Sequence, residues 1–195
     1  MSAAGATAAP AWVLPDRGQV GIVGLIVAES AVFAIFVAAY VYYVGRSQSG
    51  PTPAEVLRLP ILGSILLWSS SATVHLGVRA LRAARVRAFT LWWAVTVALG
   101  SLFLLGTATE WRRLIYDDGL TIRTNLFGTT FYSLVGLHAT HVLVGLCLLA
   151  LGVVFALRGR VDASHAGRAE VLSLYWHFVD AVWVVVFLVV YVVGR

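Results

Sequence analysis

Six ionisable side chains fall inside or at the ends of long apolar runs: Glu29, Glu110, His138, His141, His177 and Asp180. A charge in hydrocarbon is expensive, so such residues mark a pathway, a pair or a bound headgroup. Glu29 is flanked only by apolar and small residues. A partner within the bundle or on a neighbouring subunit, a lipid headgroup, or proton transfer would each support it there. His138 and His141 are three residues apart, on adjacent parts of one helix face. Imidazoles bring haem or metal ligation to mind. Two axial ligands reach a haem from opposite sides, however, so a same-helix pair has poor geometry for one haem. No HExxH, Glu-x-x-His carboxylate set or cysteine cluster accompanies them, even when His75 and His177 are included. Hydrogen-bonded polar residues at a helix interface are the expectation. His177 and Asp180 are also three apart, so the carboxylate can orient the imidazole directly or through a water. Such a pair serves as a structural lock or a proton relay, and the lock is the stronger expectation. Glu110, beside Arg112 and Arg113, reads as an interfacial residue in a weak surface ion pair.

The elements that must carry these residues are membrane spans. A chain of 195 residues that is 60 % hydrophobic and 12 % charged is not a soluble domain. Five segments, at about 18–44, 60–81, 89–114, 126–157 and 170–193, are long enough to cross a bilayer. The expected fold is an all-α integral membrane protein, a bundle of five transmembrane helices over 18–195 behind a flexible N-terminal tail, 1–17. None of the segments alternates polar and apolar residues as barrel strands do. The fourth is longer than a minimal span and should tilt or protrude. The N-terminus lacks the charged start and apolar core of a signal peptide.

Several functional classes drop out at this point. Cys147 is the only cysteine, so no disulfide or thiolate cluster forms within the chain. All 14 basic residues are arginine, which removes lysine-based chemistry. The net charge of +5 is spread over loops and reads as membrane-surface charge, not a nucleic-acid patch. Eight arginines lie on the side of the N-terminus and the second and fourth loops, against six on the other. That bias puts the N-terminus in the cytoplasm and the C-terminus outside. Ser69, Ser70, Ser71 and Thr73 can bond within their helix or to a neighbour, and Gly136, Gly145 and Gly152 allow close helix approach. Trp92 and Trp93 mark an interface, and Trp176 and Trp183 form one stripe suited to packing against another helix or lipid.

The closing stretch YWHFVDAVWVVVFLVVY, 175–191, resembles the final helix of subunit III of the haem-copper oxidases, and FGTTFYSLVGLHATHVLVG, 127–145, resembles the helix before it. AESAVFAIF at 28–36, SSSATVHLG at 69–77 and TATEWRRL at 107–114 are similar to that family's other helices in order, so the likeness covers nearly the whole chain. It implies the five-helix form, which lacks the first two helices of the seven-helix members. It also implies a non-catalytic subunit of a proton-pumping terminal oxidase that reduces dioxygen to water, with electrons from cytochrome c or a quinol. Such a subunit packs directly on subunit I, with subunit II and small subunits nearby and a respiratory supercomplex possible. It carries no haem or copper of its own and binds phospholipid in a prokaryotic plasma (inner) membrane. The family's lipid or structural polar positions fall here on Glu29, His75, Arg79, Glu110, His138, His141, His177 and Asp180, with Arg79 as a phosphate contact. No catalytic, cofactor or metal residue is implied. The chain departs from the pattern at Ala139 and Thr140, where Gly-Leu is usual, and lacks a second histidine beside His75. A Thr140 hydroxyl bonded to the backbone would fit that change. Competing readings are the five-helix accessory protein of nitric oxide reductase, a haem-b membrane anchor, which needs histidines facing each other on two helices, and an independent transporter. For the last, no inverted repeat or broken-helix pair is visible.

Overall fold

Backbone polar groups in hydrocarbon must be satisfied within the chain, which leaves helices as the solution for these apolar runs. A computed structural model describes residues 17–47 and 49–194; most of the N-terminal tail expected at 1–17 lies outside the described residues. The helices are α1 (Arg17–Tyr43), a short α2 (Pro53–Val56), α3 (Ile61–Arg82), α4 (Val86–Tyr116), α5 (Leu126–Leu157) and α6 (Ala166–Val186). A 3-10 turn, Ala163–His165, leads into α6, and a wide π-type stretch, Phe187–Val193, continues it. Five of these helices are long and apolar enough to cross a membrane, the last running from Ala163 to Val193. α2 lies in the proline-rich connector after α1, where Pro53 fits a first helical position because its missing N–H has no intrahelical partner.

α3 packs on α4, α4 on α5, and α5 on α1, while α6 touches α1, α3 and α5. α6 is therefore the hub, and its buried face holds Trp176, Val179, Trp183 and Val186. α1 is the loosest member, with only Phe33 and Tyr40 buried along its length. The two ends of the bundle close differently. At one end Asn125 caps α5: its Oδ1 accepts from Gly128 N at 2.8 Å, while Nδ2 donates to Ser49 O and Pro51 O, both at 3.1 Å. One amide thus joins a helix start to the connector after α1. Asn125→Ala should cost about 2 kcal/mol, since a cap and two further bonds go together. Limited proteolysis in detergent should then cut the 47–52 connector first; unchanged cleavage there would contradict the tether.

At the other end the turn before α6 is capped by Asp162, whose Oδ1 accepts from Ser164 N at 2.9 Å, Ser164 Oγ at 2.5 Å and His165 Nδ1 at 2.9 Å. The Ser164 hydroxyl, then His165, hold this carboxyl down at about 2, against an ordinary 3.8. A depressed carboxyl contributes stability above its unfolded value and loses it as pH falls through the folded one. The α6 start should therefore stay capped at neutral pH and fray as pH drops from about 4 towards 2. Faster amide exchange at Ser164 over that window, and in Asp162→Asn at neutral pH, is the expected reading.

Candidate functional site

The hub helix is held to α3 by a ladder of serines. Trp183 Nε1 donates to Ser64 Oγ at 3.0 Å, and Trp176 Nε1 to Ser70 Oγ at 2.8 Å. Ser71 Oγ donates to Asp180 Oδ2 and lies 3.0 Å from His177 Nδ1. The expected His177–Asp180 pair is thus joined through a hydroxyl of the neighbouring helix, not directly. Thr73 Oγ1 meets Thr96 Oγ1 of α4 at 2.8 Å, extending the polar seam to a third helix. Of the serines and threonine singled out on α3, only Ser69 bonds solely to its own backbone, at Ile65 O.

Trp176 and Trp183 are both buried, and the stripe they form faces α3, not lipid. Two glycines make room for the first. A Cβ built on Gly145 would stand 2.8 Å from Trp176 Cε3, and one on Gly100 would stand 2.9 Å from Trp176 Cη2. Gly145 and Gly152 thus admit tryptophan rings where helix backbones were expected to approach, Gly152 facing Trp93. Trp93 is buried against Phe89 at 4.5 Å between ring centroids, so it is a core residue and not an interface marker.

His138 and His141 part company despite sharing α5. His141 Nε2 lies 3.1 Å from Glu29 Oε2, pairing α5 with α1, and its Nδ1 lies 2.8 Å from Leu137 O. Phe33 of α1 packs on the same imidazole at 5.0 Å. The lone Glu29 therefore has its partner inside the bundle, which was one of the arrangements expected to support it. His138 is fully buried, stacked on Trp183 at 5.0 Å with Phe103 edge-on at 5.9 Å. Among the described residues neither of its ring nitrogens has a hydrogen-bond partner, in contrast to the bonded interface residue expected. Thr140 does bond to the backbone, at Gly136 O over 2.9 Å.

Glu110 differs from its surface reading. Its Oε2 accepts from Tyr191 Oη at 3.4 Å, and its Oε1 is buried without a partner among the described residues. Arg113 turns away to Asp118 Oδ2 at 2.6 Å and Val56 O at 2.7 Å. His75 and Arg79 both lie exposed on the outward side of α3. Among the described residues no three His, Cys, Asp or Glu side chains come together as a metal site.

The sequence matches the family described as cytochrome c oxidase subunit III over residues 16–195. The chain belongs to that family. It is 42 % identical over 182 residues to cytochrome c oxidase subunit 3 of Synechocystis sp., covering 91 % of this chain and 76 % of that one. Against the subunit of the same name from Thermostichus vulcanus it is 33 % identical over 185 residues, covering 93 % and 90 %. With that of Alkalihalophilus pseudofirmus it shares 34 % over 168 residues, covering 85 % and 82 %. This subunit III family member is an accessory, multi-pass subunit of a bacterial inner membrane. Residues that spacing alone did not reveal in this subunit III bundle are Ser71 and Tyr191, each the cross-helix partner of an expected carboxylate. The serine run on α3 was the one signal pointing to the first. Tyr191 is brought inward in the wide final turn of α6, which no sequence period announces.

Proposed function

We propose that this chain is the non-catalytic third subunit of a proton-pumping terminal oxidase that reduces dioxygen to water, where it keeps subunit I in place and carries phospholipid. The haems and copper belong to partner subunits in this reading. The observation that carries it is the family match over residues 16–195. Two features support the mechanical part. Several polar side chains of the spans pair across helices, as in Glu29–His141, Ser71–Asp180 and Thr73–Thr96, which suits a rigid brace more than a moving carrier. A groove of about 450 Å³ floored by Phe89, Trp93, Leu148 and Phe155 ends at Arg160 and Arg168, a fit for an acyl chain below an anionic headgroup. Arg79, exposed near the end of α3, is a further phosphate contact in this reading. The arginine bias supports an N-terminus in the cytoplasm and a C-terminus outside.

The test is turnover lifetime. Oxidase purified with this chain should sustain many more turnovers before inactivating than oxidase stripped of it, and adding the chain back with phospholipid should restore the lifetime. Equal lifetimes with and without the chain would remove the stabilising role.

A further inference from the structure

The groove floored by Phe89 and Trp93 carries a third polar side chain at its mouth besides Arg160 and Arg168. It is His165, the last residue of the 3-10 turn, whose side chain is 32 % exposed. Among the described residues neither arginine forms an ion pair, so both are free to take an anion.

The proton on this ring can be placed. Its Nδ1 lies 2.9 Å from Asp162 Oδ1. The Ser164 hydroxyl, then His165, hold that carboxyl at about 2, so it is ionised at neutral pH and only accepts. Nδ1 therefore bears the proton and donates, because a bare Nδ1 would set two lone pairs face to face. The contacts of Nδ1 with Ser164 Oγ and Asp162 N are both 3.4 Å, too long to compete. With Nδ1 protonated, Nε2 of the neutral ring is an acceptor and repels a phosphate oxygen. Only the imidazolium turns Nε2 into a donor, and histidine is the side chain that makes that change between about pH 5 and 8.

The turn packs on α3 and α6. The charged groups around the ring are Asp162 on its own turn, Arg160 in the loop before it, Arg168 and Glu170 on α6, and Arg79 and Arg82 in the last turn of α3. Arg82 and Glu170 pair with each other at 2.5 Å. One carboxylate bonded to the ring is left against three arginines. The empty mouth thus opposes a further positive charge, and an anion seated in it removes the opposition.

We infer that His165 is a proton-dependent headgroup contact: an anionic phospholipid in this groove, its phosphate on Arg160 and Arg168, is also held by His165 Nε2–H once the ring is charged. The inference rests on the reading of the groove as a phospholipid site and adds the residue that ties its occupancy to pH. Linkage fixes the sign. The charged ring binds phosphate better, so affinity rises as pH falls, and bound lipid eases protonation of the ring by the same factor.

Lipids with brominated acyl chains test it, because they quench Trp93 on the groove floor of the delipidated full chain in detergent. The part of the quenching lost in Arg160→Gln with Arg168→Gln belongs to this groove. Phosphatidylglycerol keeps one negative charge from about pH 8 to about 5.5, so any slope belongs to the protein. It should bind about fivefold tighter at the lower pH, as one added exposed charge contact allows. Phosphatidylcholine, with no net charge, should bind weakly at both. His165→Gln should flatten the profile at the weaker value and His165→Arg at the tighter one, a pattern that a purely structural cap would not give. A flat profile for the unaltered chain, or a slope that survives in His165→Gln, overturns the inference. So does phosphatidylcholine binding with the same strength and slope. Inorganic phosphate should compete poorly; competition equal to that of the lipid would assign the site to free phosphate and overturn it too. Quenching in the double arginine variant equal to that of the unaltered chain at every pH removes the groove itself as a lipid site, and the inference with it.

Discussion

Trp176→Ala is expected to destabilise the bundle by about 3–5 kcal/mol, the range for emptying a buried large aromatic site. The ring is fully buried, it donates to Ser70, and it fills the space left by Gly100 and Gly145. Its removal leaves a cavity on the hub helix and a serine without its donor. Trp176→Phe should fall between, since it keeps most of the volume and loses the bond. Gly145→Val approaches the same seat from the other side: its Cβ would stand 2.8 Å from the ring, so either the indole or α5 must shift. Thermal unfolding in detergent, followed by size-exclusion recovery, reads all three. Full recovery of Trp176→Ala at wild-type temperature would mean that the α3–α6 seam is not what holds the hub in place.

His141→Leu is expected to cost about 3–5 kcal/mol and to loosen α1 specifically, because it leaves the Glu29 carboxyl without its partner inside the membrane. α1 has little else to hold it, with Phe33 and Tyr40 its buried residues. Glu29→Leu alone should cost less, since it takes the carboxyl out of the membrane and leaves the His141 ring its contact with Leu137 O. The double change Glu29→Leu with His141→Leu should recover much of the stability lost in His141→Leu, as apolar replacements of both members of a buried pair often do. Cysteine accessibility along α1 measures the loosening. Additive losses in the double variant would show that the two side chains do not act as a pair.

Much of the architecture was legible because the bilayer permits few solutions. An apolar run too long for a soluble core helix reads as a span, and five such runs predict five spans. The polar positions were legible for the same reason: Glu29, His138, His141, His177 and Asp180 stand out against apolar neighbours. Their partners were not. Spacing along one helix places His138 beside His141 but says nothing of what faces either, and in the fold one meets Glu29 and the other Trp183. Glu110 looked paired because arginines follow it in sequence, yet helix geometry turns Arg113 towards Asp118 and Val56. Tryptophan is ambiguous in a membrane sequence, suiting both interfaces and cores, and only packing under Gly152 settles Trp93.

The most direct measurement is purification in mild detergent through a tag on this chain, followed by mass spectrometry and an optical spectrum before and after the subunits are separated. Co-purification of haem-bearing oxidase subunits, with the haem bands absent from the separated chain, is the predicted result. A chain that purifies alone, or one that keeps a haem spectrum after separation, would contradict the account.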